Sequence, residues 1–194
     1  MTQAFSNSLS TSPANPLLEL HRAGEAEFQH WDAIQIVQTF GEPQAEYAAI
    51  RKSCGLIDLP QRGILELSGK DRLPFLNNLL TNQTWNKTNK SGLSAGEGVY
   101  AFLLNLRGRI VADMNVLELG DRTLLETDAR LVEPLRAVFD KYIFAEQVKI
   151  VSRIGELHEI ALHGPTAAEI VGVNIPQPLH STRAKLFDVD LLIW

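Results

Sequence analysis

The sequence predicts an α+β fold, an antiparallel meander with helices packed on it. Three observations carry this. Residues 98–127 hold three β-rich runs joined by short corners, Asn105-Leu106-Arg107-Gly108-Arg109 and Gly120-Asp121, the pattern of successive hairpins. Residues 128–144 place Leu131, Leu135, Val138, Phe139 and Tyr142 at helical spacing, the signature of an amphipathic helix. Strand-like runs come in groups rather than alternating singly with helices, against a doubly wound sheet. The order strand, helix, strand, strand, helix, strand over residues 110–194 also fits a ferredoxin-like unit.

The elements follow in order. Residues 1–15 are rich in Ser, Thr, Asn and Pro and read as a flexible tail ahead of one domain over residues 16–194. Asn15-Pro16 opens a short helix, and Ile34-Gln35-Ile36-Val37 is an edge strand. Residues 44–54 form a helix with an apolar stripe of Ala45, Ala48, Ala49 and Cys54, closed by Gly55 in the manner of a C-terminal glycine. Leu56 to Leu59 is extended, and Gly63 to Ser68 alternates apolar and polar as a half-buried strand does. Ser68 or Asp71 caps a helix carrying Leu73, Leu76, Leu79 and Leu80. Residues 81–98 are polar and read as a long loop. Asp128 caps the helix of residues 128–144. Strands follow at 148–151 and 159–162, then a helix at 166–171, a loop at 176–178 and a last strand within 186–194. That strand ends in an apolar run, so the chain is expected either to be truncated there or to need another segment to cover it.

Composition narrows the function classes. The 194 residues are 45% hydrophobic and 21% charged with a net charge of −5, ordinary for a soluble globular protein. No basic stripe is present, which argues against nucleic acid as a partner. No run reaches the ~18 apolar residues of a membrane span, and the N-terminus lacks the basic and apolar regions of a secretory signal. The single cysteine, Cys54, excludes a disulfide framework and fits a reducing compartment, so a cytoplasmic location is expected. His158, His163 and His180 lack metal-ligand spacing and read as structural or exposed. Gly69-Lys70 lacks the other glycine and the Ser/Thr of a phosphate-binding loop.

The residue that asks for a reason is Asp113, a lone carboxylate in the apolar run of residues 110–119. A charge removed from water is costly unless paired. Asp113 is either partnered or lines a cavity, or it sits at a strand bulge bonded to nearby backbone N–H groups.

Tyr100, Leu104-Asn105, Gly108 and Asp113 together resemble the folate-binding motif of the aminomethyltransferase family. That family includes the glycine cleavage T-protein and the YgfZ-type folate-binding proteins of iron–sulfur cluster maintenance. Gly55-Leu56-Ile57-Asp58-Leu59, Leu67-Ser68-Gly69-Lys70-Asp71-Arg72, Leu80-Thr81-Asn82 and Leu162-His163-Gly164-Pro165 extend the likeness over residues 20–194. The stretch around Lys141-Tyr142-Ile143-Phe144 is similar to the YgfZ-type branch. The resemblance implies that this is an N-terminal portion binding tetrahydrofolate. Asp113 would be its pterin-facing carboxylate, able to stabilise positive charge during one-carbon transfer. Tyr100 would be a pocket wall, Asn82 and Asn105 contacts near the pterin, and Arg109 a partner for the anionic glutamate tail. Where T-proteins carry two acidic residues in a row, the first here is Ala112, and Pro60 stands in place of a Ser. The implied roles are tetrahydrofolate binding in one-carbon metabolism or iron–sulfur maintenance, aminomethyl transfer from a lipoyl carrier protein, or a scaffold without ligand. The implied partners are accordingly a lipoyl carrier protein or an iron–sulfur protein.

Overall fold

The computed structural model describes residues 15–173, 177–186 and 188–194. The tail expected over residues 1–15 therefore lies almost wholly outside the described residues, as does part of the loop expected at 176–178. The chain divides into two compact units. In order, it forms α1 (Leu18–Ala23), β1 (Glu27–Trp31), β2 (Ile34–Thr39), α2 (Pro43–Lys52), β3 (Gly55–Asp58) and β4 (Arg62–Ser68). Next come α3 (Arg72–Leu79), β5 (Trp85–Asn86), β6 (Ser91–Gly92), β7 (Gly98–Leu104), β8 (Ile110–Glu118), β9 (Arg122–Asp128), α4 (Val132–Asp140) and β10 (Lys149–Ser152). The chain closes with β11 (Ile160–His163), α5 (Ala167–Val171), β12 (Thr182–Leu186) and β13 (Val189–Ile193).

One unit covers the described residues up to 63 together with residues 154–173. Its strands form two antiparallel pairs, β1 with β2 and β11 with β3. The expected edge strand is β2, whose register opposes Trp31 to Ile34. Gly55 does not close a helix as expected. Helix α2 ends at Lys52, and Gly55 opens β3 opposite His163. The glycine is needed for space: a Cβ there would meet Ile50 Cγ1 at 2.6 Å.

The other unit is built on a five-stranded sheet in the order β10-β4-β9-β8-β7. The three-strand meander expected from residues 98–127 is its β7-β8-β9 part, antiparallel throughout. Alternation along the strands sets one apolar face and one polar face. Leu65, Leu67, Ala101, Leu103, Ala112, Met114, Val116 and Leu125 are buried on the first. Helices α3 and α4 supply Phe75, Leu76, Val132, Leu135 and Phe139 to this core. The Phe75 and Phe139 rings meet edge-to-face with centroids 6.2 Å apart, a favoured aromatic geometry. Each fully buried Leu or Phe contributes roughly 1.5–3 kcal/mol.

Several expectations are corrected or refined here. The ferredoxin-like unit over residues 110–194 does not form, because β11 pairs with β3 while β12 and β13 pair with each other. The strand–helix alternation in one sheet starts earlier, at β4, and ends at β10. The final segment is the second arm of a hairpin, its turn at Asp188 with φ +64°. The helix of residues 128–144 is shorter: Asp128 caps a 3-10 turn by accepting from Arg130 N, and α4 ends at Asp140. Asp71 stands before α3 but makes no cap bond. Its Oδ2 accepts instead from Gln147 N at 2.8 Å, tying the start of α3 to the segment that leads into β10. The loop of residues 81–98 contains the short β5–β6 pair.

Candidate functional site

The polar face of the five-stranded sheet carries the residue that the sequence singled out. In the β7–β8 ladder Asp113 opposes Phe102 and Tyr100 opposes Asn115. Residues two apart share a face, so Tyr100, Phe102, Asp113 and Asn115 project to the same side. The Tyr100 hydroxyl donates to Asp113 Oδ2 at 2.8 Å. Asp113 is half-buried, and its backbone carbonyl accepts from Thr127 Oγ1 at 2.7 Å. The strand irregularity in this hairpin lies at Leu103/Leu104, away from Asp113. The carboxylate is therefore partnered by a side chain rather than held at a bulge. Tyr100 is 44% exposed, and its ring meets Phe102 edge-on at 5.2 Å. The result is a carboxylate framed by two aromatic rings, open to solvent on one side. Such a surface suits a flat heteroaromatic ring that presents N–H groups at its edge.

Ala112 changes meaning in this frame. It is 3% exposed and lies on the core face, pointing opposite to Asp113. Its small side chain belongs to the packing, and an acidic residue there would not sit beside Asp113.

Asn82 and Asn105 hold the ends of this region. Asn82 Nδ2 donates to the Tyr100 carbonyl at 3.1 Å, and its Oδ1 accepts from Gln83 N at 2.8 Å. Asn82 also lines an open groove of about 530 Å³ with Asn77, Thr81, Trp85 and Lys87. Asn105 Oδ1 accepts from the N–H groups of Arg107 and Arg109 at 2.9 and 3.1 Å. Its side chain organises the turn between β7 and β8. Arg109 lies on that turn, exposed, and makes no side-chain ion pair among the described residues. The structure thus brings Tyr100, Asp113 and Asn82 together, while Asn105 and Arg109 sit at the hairpin tip.

Two polar clusters escaped the sequence reading. On the same sheet face, Asn115 Nδ2 donates to Glu126 Oε2 at 2.6 Å, and Glu126 is 1% exposed. Their alternation with apolar neighbours was a readable signal. In the other unit, Asp58 accepts from three side chains. Asn15 Nδ2 and His21 Nε2 each lie 2.7 Å from Oδ2, and His158 Nε2 lies 2.6 Å from Oδ1. No acidic partner for His158 is visible in its local sequence; the partner is Asp58, 100 positions earlier. Among the described residues no group of three His, Cys, Asp or Glu side chains could hold a metal ion, and no helix is long and apolar enough to cross a membrane.

Comparison with known proteins agrees with the family resemblance. The aminomethyltransferase of Thermoanaerobacter sp. (strain X514) is 26% identical over 184 residues, spanning 91% of this chain and 43% of that protein. The aminomethyltransferase of Nitrosococcus oceani is 27% identical over 174 residues, 88% of this chain and 44% of its own length. The crystal structure of glycine cleavage system aminomethyltransferase T from Bartonella henselae superposes with a TM-score of 0.72 at 23% identity. It covers 86% of this chain and 46% of that one. The chain thus spans less than half the length of these relatives. A family model described as the GCVT N-terminal domain matches residues 17–190. With that match over nearly the whole sequence, the chain belongs to the GCVT N-terminal domain family.

Proposed function

We propose that this chain binds tetrahydrofolate on the polar face of β7 and β8 and serves one-carbon transfer of the aminomethyltransferase kind. The observation that carries the reading is the hydrogen bond from Tyr100 to Asp113 on an open, aromatic-flanked sheet face. The residues fit a reduced pterin: a carboxylate accepts from ring N–H groups, and a half-exposed ring offers an apolar wall. Tetrahydrofolate, when bound, supplies the nitrogens that accept the one-carbon unit. The Tyr100 hydroxyl fixes one oxygen of Asp113, leaving the other free to accept a bond. A fixed carboxylate facing the reacting nitrogen stabilises positive charge as it develops there. Asn82 steadies Tyr100 through the backbone. Arg109 is the cation available to the anionic tail, and Asn105 holds Arg109 in place through its backbone.

The aminomethyl donor we infer is a lipoyl carrier protein, the partner that the resemblance implies; the relatives' name, aminomethyltransferase, supports the group transferred. A role in iron–sulfur maintenance rests on the likeness around Lys141-Tyr142-Ile143-Phe144 alone. A scaffold that has lost its ligand is disfavoured by the retained Tyr100–Asp113 pair.

Calorimetric titration of tetrahydrofolate, or of the more stable folinic acid, tests the reading. Asp113→Asn is expected to weaken binding about tenfold or more, about 1.4 kcal/mol. Equal binding by the variant, or none by the wild type, would sink it.

A further inference from the structure

The tip of the β7–β8 hairpin is apolar, basic and rigid at once. Leu106 is 90% exposed and Ile110 61%. Arg107 and Arg109 flank them, and neither makes an ion pair among the described residues. Apolar side chains this exposed usually lie on mobile loops, but this loop is internally bonded. Asn105 Oδ1 takes the N–H groups of Arg107 and Arg109, Asn105 N donates to Arg109 O, and Gly108 N donates to Asn105 O. Gly108 supplies the left-handed φ of +71° that the turn requires. A surface held in shape before contact loses little entropy on binding.

From this tip we infer a docking surface for an acidic partner protein, with Leu106 inserting into an apolar spot and Arg107 meeting carboxylates around it. The chain as a whole carries −5, and two exposed arginines without ion pairs among the described residues give the tip the opposite sign locally, which favours carboxylates on a partner. A lipid surface fits less well, because anionic membranes are held by clusters of several Lys and Arg. The location gives docking a purpose. Ile110 opens the strand that carries Asp113 three residues further on, about 10 Å at strand rise. A partner seated on the tip could reach the candidate folate face with a flexible arm bearing the aminomethyl group. The inference rests on the carrier reading above and adds the surface that would receive the carrier.

The test titrates a lipoylated carrier protein into the full chain, wild type and the double variant Leu106→Ser, Arg107→Glu, by calorimetry at low and high salt. Both side chains point to solvent, so the fold is expected to survive, with an unchanged circular dichroism melt. The double variant should bind the carrier about tenfold or more weakly, salt should weaken wild-type binding, and tetrahydrofolate affinity should stay unchanged. Equal carrier affinity in wild type and variant would overturn the docking surface, as would no carrier binding by the wild type. Tip-dependent binding to phosphatidylserine vesicles without carrier binding would overturn it in favour of a membrane. Failure of the folate reading shows separately, as absent tetrahydrofolate binding by the wild type.

Discussion

In the proposed site Tyr100 and Asp113 would divide the work unequally. Removing the hydroxyl in Tyr100→Phe deletes one hydrogen bond but leaves ring and carboxylate. Tetrahydrofolate affinity should fall roughly fivefold, about 1 kcal/mol, less than for Asp113→Asn. A Phe variant that binds as weakly as the Asn variant would mean the hydroxyl itself contacts the ligand. Asp58 works differently, since its oxygens satisfy three donors from distant parts of the sequence. Asp58→Ala strands those donors beside a void and should cost about 3 kcal/mol in a urea melt. A loss below about 0.5 kcal/mol would show the cluster to be replaceable by water. The contrast explains what could be read in advance. Asp113 was conspicuous because a charge interrupted an apolar run. His21, Asp58 and His158 are each unremarkable in their own neighbourhoods, and only the tertiary fold makes them one cluster.

At the scale of elements, periodicity located β4, β7, β8, β9 and α4, while the ends of helices were harder to see. The end of α4 shows why. Glu146 accepts from Phe144 N and Ala145 N just past the helix, so a side chain downstream shapes the exit. Those backbone N–H groups, Phe144 foremost, hold its carboxyl below the usual value near 4.5. A depressed carboxyl contributes its stability above its ordinary range and loses it as pH falls through the lower folded value. Glu146→Gln should therefore remove part of the acid sensitivity of this turn, read as a smaller change in amide exchange at Phe144 between pH 6 and pH 3 (about these values). An unchanged profile would assign the turn's stability elsewhere. Pairing between strands was the least legible feature. The approach of Gly69 to its neighbours is one example: a Cβ would lie 2.0 Å from Gln147 O, and φ is +102°. Gly69→Ala should destabilise by about 2 kcal/mol or more in chemical denaturation. A neutral result would mean the β4–α3 corner can open without loss.

For the molecule as a whole, one sheet holds most of the large buried side chains, and two structural units share the chain. Phe139 is fully buried against Phe75, so Phe139→Ala should cost about 3–5 kcal/mol in the unit that carries the candidate site. The sheet also mixes near and far. Tyr100 and Asp113 are joined across 13 positions, whereas Arg153 reaches Glu66 across 87. Closing a short loop costs less entropy than closing a long one, and the Asn105 turn already shapes that short loop. It follows that the Tyr100–Asp113 pair belongs to the earliest part of the protein to assemble. The strands β4 and β10 would join a hairpin on which Tyr100 already meets Asp113. Asn105→Ala should then slow refolding in stopped-flow mixing while leaving the unfolding rate nearly unchanged; the opposite partition would put the hairpin late on the route.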